Sequence, residues 1–140
     1  MKNHKLAIMS LLLAFIPALA TALPPRPANC PGTRGIINSG LMSAELDSED
    51  NIYTVGQIHT YETPETWAFV IAIPVDRVSK TNSIADALQK GRVALPSVSG
   101  SPTPLDINDH WTCMYNVGYG FQAIAVTPVD FGNTLKAAVR

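Results

Sequence analysis

The sequence predicts an α+β fold in which one short N-terminal helix packs on a twisted antiparallel β-sheet, with one disulfide bond. Three observations support this prediction: apolar residues at helical spacing early in the chain, two pairs of segments rich in β-branched and aromatic residues, and only two cysteines. A helix followed by strands is typical of the α+β class. A chain of 140 residues accommodates one domain.

The first twenty residues have the pattern of a secretory signal peptide. Lys2 and Lys5 precede an apolar run that extends to Leu19, and small residues follow at the spacing that signal peptidase recognises. The run is shorter than the roughly 20 residues that cross a bilayer. We therefore predict a signal peptide over residues 1–20, a secreted extracellular protein and no membrane-spanning segment.

The balance of acidic and basic residues indicates whether a nucleic acid is a suitable partner. Without residues 1–20 the chain carries 8 basic residues against 11 acidic ones, a formal charge of −3. Because Lys and Arg contacts to phosphate dominate affinity for nucleic acids, this balance argues against general electrostatic binding of RNA or DNA. A local basic patch stays compatible with it.

Cys30 and Cys113 are the only cysteines, so a single pairing exists. In an oxidising compartment we expect them to form a disulfide, which chain-entropy models value at about 4–5 kcal/mol for a loop of this length. Zinc is a poor alternative, since neither cysteine belongs to a short C-x-x-C pair; two free thiols are the other one. We expect no metal and no cofactor.

The first elements after the signal peptide are an extended lead-in and a helix. Residues 21–29 are rich in proline, and successive prolines favour polyproline II. The helix is predicted within Gly35–Ser48, where Ile37, Leu41 and Ala44 follow the i, i+4, i+7 spacing of one helix face.

A β-hairpin follows with the clearest strand signal in the sequence. Its strands are predicted over Ile52–Tyr61 and Trp67–Val75, with a loop of four or five residues that begins at Glu62. In the second strand both faces are apolar, which predicts a position inside the sheet. One face would carry Trp67, Phe69, Ile71 and Ile73, and the other Ala68, Val70 and Ala72.

The second half of the chain is predicted to contain one more helix and a second hairpin. Asn82 or Ser83 would cap the helix, which would run over residues 84–90, and Gly91 would stop it. The remaining predicted elements are a surface loop over Pro96–Pro104, strands over Trp111–Val117 and Phe121–Val126, and a C-terminal tail over residues 128–140 with a helical turn near its end.

Residues suited to catalysis are sparse. No G-x-S-x-G nucleophile elbow is present, and both cysteines are assigned to the disulfide. His59 and His110, with Glu65 on the predicted turn, are the candidates for general acid–base catalysis. On one strand, His59 and Tyr61 would project from the same face, although a histidine beside an aromatic residue is most often a packed or surface residue.

Several short motifs then resemble a known family. Cys30-Pro31-Gly32-Thr33 before a helix, and the stretch HTYETPETWAF over His59–Phe69, resemble the small secreted guanyl-specific ribonucleases of moulds and their non-catalytic relatives, the ribonuclease-like effectors of powdery mildews and other plant-pathogenic fungi. Looser similarities follow at Ala87–Gly91, at Gly100-Ser101-Pro102 before Asp106, and at Cys113-Met114-Tyr115 with Gly118. The resemblance covers residues 28–127 and implies a ribonuclease-like domain over residues 30–127.

The resemblance also implies that most of the active site is missing. The first catalytic histidine of the family matches His59, but the catalytic glutamate falls near Ala85, the phosphate-binding arginine at Ile107 and the second histidine near Phe121. Loss of the acid, the base and the guanidinium would remove proton transfer and charge stabilisation together. The resemblance implies a strand at Ile84–Leu88, where the residues themselves predict a helix.

The leading hypothesis from the sequence is therefore a secreted, monomeric, non-catalytic virulence effector of a plant-associated fungus. It would bind a host plant protein or host RNA, with His59, Tyr61 and Tyr119 as binding candidates, and its delivery into host cells is left open. One alternative is an active ribonuclease with a rearranged site of His59, Glu65 and His110. The other is a β-sandwich effector or toxin module, in which the helix prediction would be wrong.

Overall fold

A computed structural model describes residues 23–129. The predicted signal peptide and the part of the predicted tail from residue 130 onward lie outside the described residues. The helices are α1 (Thr33–Ser39) and α2 (Ser83–Ala94), and 3-10 turns cover Val75–Arg77 and Leu95–Ser97. The strands are β1 (Ser43–Asp47), β2 (Ile52–His59), β3 (Trp67–Pro74), β4 (Leu105–Ile107), β5 (His110–Tyr115) and β6 (Gln122–Thr127).

All six strands form one antiparallel sheet in the order β1-β2-β3-β6-β5-β4. Both predicted hairpins are confirmed, as β2–β3 and β5–β6, although the first loop, 60–66, is longer than predicted. β3 lies between β2 and β6, and residues on both of its faces are buried, as its composition predicts. The described residues thus form one sheet with helices, so the β-sandwich alternative is wrong for this part of the chain.

The α+β class is confirmed, but the longer helix lies in the middle of the chain and not at the N-terminus. α1 has seven residues and contributes Ile36 to the core, whereas the twelve-residue α2 follows β3 and packs across β1, β2 and β3. Beneath the helices, one core joins α1 and α2 to the sheet. Its largest members include Ile36, Tyr53, Val55, Trp67, Phe69, Ile71, Ile73, Leu95, Val98 and Tyr115.

The prediction of one helix over Gly35–Ser48 is wrong in its second half. The helix ends at Ser39 because Gly40 has a φ of 75°, a left-handed conformation that glycine adopts without a steric penalty. The chain then turns, Leu41 enters the core, and Ala44 pairs with Val55 as part of β1. The apolar residues whose spacing suggested one longer helix therefore belong partly to α1 and partly to the turn and strand β1 that follow it.

The helix predicted for the middle of the chain is confirmed, and the strand at Ile84–Leu88 that the resemblance implied is wrong. Asn82 is the N-cap residue, but its side chain makes no capping hydrogen bond. Gly91 does not stop the helix, which continues to Ala94. A Cβ atom at position 91 would lie 2.7 Å from Cγ1 of Val55, so glycine here permits close contact between α2 and β2.

The predicted disulfide is confirmed and fastens the lead-in to β5. Cys30 and Cys113 are bonded, with their Cα atoms 5.9 Å apart. Two further contacts hold the lead-in: the Trp111 indole N–H donates to the Pro24 carbonyl at 2.8 Å, and the Arg26 guanidinium donates to the Pro104 carbonyl at 3.1 Å. From residue 23 onward the lead-in has no helix or strand until α1.

Candidate functional site

The two faces of the sheet differ in what packs on them. Within residues 23–129, both helices contribute to the core on one face. On the other, which we call the helix-free face, one row of paired residues is apolar: Val70 pairs with Ile124, and Ile124 pairs with Met114. Val129 is the described residue that packs on the small cluster of Ala68, Val70, Ile124 and Val126 there.

A cleft of about 410 Å³ opens at the end of the sheet where β6 begins, and residues from both faces of the sheet line it. Its volume lies in the range typical of sites for small ligands. It is lined by Ala72, Ile107, Met114, Tyr115, Asn116, Val117, Phe121, Gln122, Ala123 and Ile124. The lining contains no acidic, basic or histidine side chain. Met114 is 58% exposed, so one large apolar side chain of the cleft lining is in contact with solvent.

Tyr115 is the titratable group in the lining, and it stays neutral. Burial raises the pKa of its phenol, with a smaller contribution from the nearby Tyr61. The Tyr115 hydroxyl donates a hydrogen bond to the Pro31 carbonyl, which also fixes the ring orientation. The cleft therefore offers an apolar, uncharged surface at physiological pH.

An arginine and two aromatic residues lie at one end of the cleft. The rings of Tyr119 and Phe121 are stacked, with centroids 5.8 Å apart and an interplanar angle of 26°. Cζ of Arg77 lies 5.6 Å from the centroid of the Phe121 ring, within the range of a cation–π contact. We call these three residues the ring cluster. Because Phe121 also lines the cleft, the two features form one continuous surface.

His59, the first predicted site residue, lies far from the cleft. It ends β2 opposite Trp67, whose side chain belongs to the core on the helix-covered face. The His59 ring is exposed, and its Nδ1 accepts a hydrogen bond from the backbone N–H of Tyr61 at 3.0 Å. Through this hydrogen bond His59 helps to shape the turn after β2.

The rearranged site of His59, Glu65 and His110 is not assembled. Thr112 on β5 pairs with Val126, which pairs with Ala68 on the helix-free face. His110 lies two residues before Thr112, so its side chain projects from that face, opposite to the face of His59. β2 and β5 are three strand spacings apart, about 14 Å. Glu65 belongs to the β2–β3 loop, which begins after His59, but its Oε2 is buried and has no hydrogen-bond partner among the described residues.

The prediction that Tyr61 contacts a ligand is corrected. Tyr61 is only 3% exposed, and its hydroxyl donates to the Gln57 carbonyl at 3.2 Å. Burial raises the pKa of its phenol. The reason for the error is that β2 ends at His59, after which Tyr61 takes a φ of 50° and turns its ring into the core.

Of the three predicted binding residues, Tyr119 alone belongs to the ring cluster. The rings of His59 and Tyr61 are close, with centroids 5.2 Å apart. Tyr119 and His59 lie at opposite ends of the sheet, so the structure does not bring all three predicted residues together. Sequence reasoning missed Arg77 and Met114. Nothing in the sequence marks Arg77, because its approach to Phe121 depends on the pairing of β3 with β6.

The four positions that match the active site of the ribonuclease family also lie in different parts of the structure. Ile107 and Phe121 both line the cleft. Ala85 is exposed on α2, and His59 lies at the other end of the sheet on the helix-covered face. The cleft thus contains two of the four positions, each with an apolar side chain.

The described residues contain no group of three or more His, Cys, Asp or Glu side chains that could hold a metal ion. Neither helix between residues 23 and 129 has the length and apolar character needed to cross a bilayer. No protein-family model matches the chain, and comparisons with curated proteins and with solved structures give no match.

Proposed function

We propose that this chain is a secreted, non-catalytic binding domain that holds a protein partner in the cleft at the end of its sheet. The observation that carries the proposal is the uncharged, mostly apolar lining of the cleft, which includes the exposed Met114. Apolar surface that is exposed in a concave site favours burial against a partner. Cys30–Cys113 is compatible with an extracellular protein.

The same lining favours a protein over RNA. Affinity for RNA depends on cationic contacts to phosphate, and none of the residues that line the cleft is basic. The resemblance to ribonuclease-like effectors supplies the biological setting of the proposal: an effector of a plant-associated fungus and a host plant protein as partner. The lack of contact between His59 and His110 supports the non-catalytic part.

The test compares two charged substitutions at exposed methionines. Met114→Glu puts a carboxylate at the cleft, whereas Met42→Glu puts one just before β1, where the methionine is 67% exposed. The immobilised secreted protein and both variants are incubated with plant-leaf extract treated with ribonuclease. A captured protein is then produced in recombinant form, and its affinity is measured by calorimetry.

We expect the partner to bind the wild type and Met42→Glu, and to bind Met114→Glu at least tenfold more weakly. Circular dichroism and the urea midpoint establish that both variants are folded. Equal affinity of Met114→Glu and the wild type for the recombinant partner would refute the proposal. Tight binding of total plant RNA in a gel-shift assay, abolished by Met114→Glu, would replace the protein partner with RNA.

A further inference from the structure

The exposed ring of Tyr119 is held in place by an unusual turn. The backbone N–H of Phe121 donates to the Gly118 carbonyl at 3.3 Å, and both central residues have positive φ, 66° at Tyr119 and 72° at Gly120. These φ values are those of a type I′ turn, which favours Gly, Asn and Asp. A bulky aromatic residue in this conformation is strained, and such strain is concentrated at functional sites.

The loop that carries Tyr119 is anchored at two residues that precede it, Gly118 and Asn116. The Gly118 N–H donates to Oγ of Ser97 at 2.9 Å, and Ser97 in turn donates to the Ala94 carbonyl at the end of α2. Ser99 and Asn116 exchange two backbone hydrogen bonds, each 2.9 Å long. Tyr119 is 55% exposed on this anchored loop, so its ring is presented to solvent with little freedom to lose on binding.

Arg77 provides the charge of the ring cluster. Its side chain is exposed. The ion pair found within residues 23–129 joins Lys90 to Asp86, so it does not involve Arg77. A guanidinium that stacks on an aromatic ring keeps N–H donors at its edge, which suit a bidentate carboxylate. Asp76 is adjacent in sequence and reduces the local positive charge, which favours one carboxylate over a run of phosphates.

We propose that the ring cluster and the cleft together bind a segment of the partner in which an aromatic side chain lies next to a carboxylate. The aromatic ring would pack in the cleft against Phe121 and Ile124, while the carboxylate would accept hydrogen bonds from Arg77. Tyr119 would cover the ring from the side of the turn. This inference rests on the proposed function, because it specifies the chemistry of the protein partner.

The test uses three small probes of defined chemistry. N-acetyl-L-phenylalanine carries the ring and the carboxylate, N-acetyl-L-phenylalaninamide carries the ring without the charge, and acetate carries the charge without the ring. Each is titrated into the ¹⁵N-labelled secreted protein, and amide and methyl chemical shifts are followed by NMR. We expect saturable shifts at Phe121 and Ile124 with N-acetyl-L-phenylalanine, and binding of the amide that is about tenfold weaker.

Two arginine variants test whether Arg77 causes the difference in affinity between N-acetyl-L-phenylalanine and its amide. Arg77→Gln should remove the difference between N-acetyl-L-phenylalanine and its amide, while Arg34→Gln should preserve it, since Arg34 is exposed on α1 and changes the net charge equally. Tyr119→Ala should weaken both phenylalanine probes by roughly two- to tenfold, the usual range for loss of one aromatic contact.

Three results would overturn the inference: equal affinity of the wild type for the acid and the amide, no saturable shift with either, or tighter binding of uridine monophosphate than of N-acetyl-L-phenylalanine. Failure here is distinguishable from failure of the proposed function. If Met114→Glu abolishes partner binding and Arg77→Gln leaves it unchanged, the protein-binding cleft stands and the carboxylate contact is wrong. If Met114→Glu has no effect on partner binding, the proposed function fails.

Discussion

Gly91 of α2 lies against Val55 of β2 so closely that a Cβ atom at position 91 would come within 2.7 Å of Cγ1 and 3.1 Å of Cβ of that valine. Gly91→Ala should therefore destabilise the protein by about 1–3 kcal/mol, as overpacked cores do. This is the opposite of the effect on an isolated helix, where alanine is favoured over glycine by about 1 kcal/mol. The free energy of unfolding in urea gives the measurement.

Gln89→Ala is the matched control, because Gln89 is exposed on the same helix. Its effect should stay within about 0.5 kcal/mol. A Gly91→Ala variant as stable as the wild type would mean that α2 does not contact β2 as closely as described.

Thr63 is a second position with a specific stability role. Its Oγ1 accepts a hydrogen bond from the Trp67 indole N–H at 2.9 Å, and Trp67 is fully buried. Thr63→Val would leave this donor without its partner, and the expected loss is about 1–3 kcal/mol. Thr60→Val is the control, since Thr60 is exposed and contributes its backbone carbonyl to the loop. Equal urea midpoints for the two variants would contradict this role of the Thr63 hydroxyl.

Replacement of both cysteines by serine should lower the free energy of unfolding by about 2–5 kcal/mol, because the bond closes a long loop in the unfolded chain. The wild type should lose a similar amount when it is unfolded in the presence of a reductant. The double variant should be insensitive to the reductant, which controls for unspecific effects. Identical unfolding midpoints of the wild type with and without reductant would contradict the prediction.

Asp86 should make stability depend on acid pH. A hydrogen bond from the Lys90 side chain, a second from the Ser79 backbone N–H, and the positive charge of Lys90 lower the pKa of Asp86 below its ordinary value of 3.8. Since the folded state favours the carboxylate, its contribution is present above the ordinary pKa and is lost as the pH falls through the lowered one. Asp86→Asn should therefore melt below the wild type at about pH 7.

The difference between Asp86→Asn and the wild type should shrink as the pH falls below 3.8 and through the lowered pKa of Asp86. Glu45→Gln, an exposed substitution on β1 with the same change in charge, gives the baseline. A gap in melting temperature that is unchanged across this pH range would show that the carboxylate charge of Asp86 is not responsible.

The last prediction concerns catalysis. We expect no RNA hydrolysis by the purified secreted protein beyond that of a His59→Ala, His110→Ala double variant, because the two imidazoles project from opposite faces of the sheet. A fluorescent RNA substrate and an active guanyl-specific ribonuclease provide the measurement and its positive control. Turnover by the wild type that the double variant lacks would require a different active site.

Features with a strong local signal could be predicted from the sequence. β3 is apolar on both faces and lies inside the sheet, and the two cysteines have one possible pairing. β1 could not be predicted, since Ser43–Asp47 has no strand pattern of its own and is a strand because it pairs with β2. Gly91 was misread as a helix stop because its contact with Val55 depends on tertiary packing.

The candidate site was less accessible to sequence reasoning. Tyr119 could be singled out, but its neighbours could not: Arg77 and Phe121 are far apart in sequence and meet because β3 pairs with β6. His59 and Tyr61 were grouped because both were expected on one strand. β2 ends between them, so one ring is exposed and the other is buried.

The bond between Cys30 and Cys113 also determines how the protein transmits mechanical force. Tension applied to the two chain ends enters at the lead-in, crosses from Cys30 to Cys113 through the two sulfur atoms, and leaves along β6. Residues 31–112, which include α1, α2 and four of the six strands, lie outside this path. Pulling can therefore peel off the lead-in and β6, while the enclosed segment cannot be stretched until the sulfur–sulfur bond is cleaved.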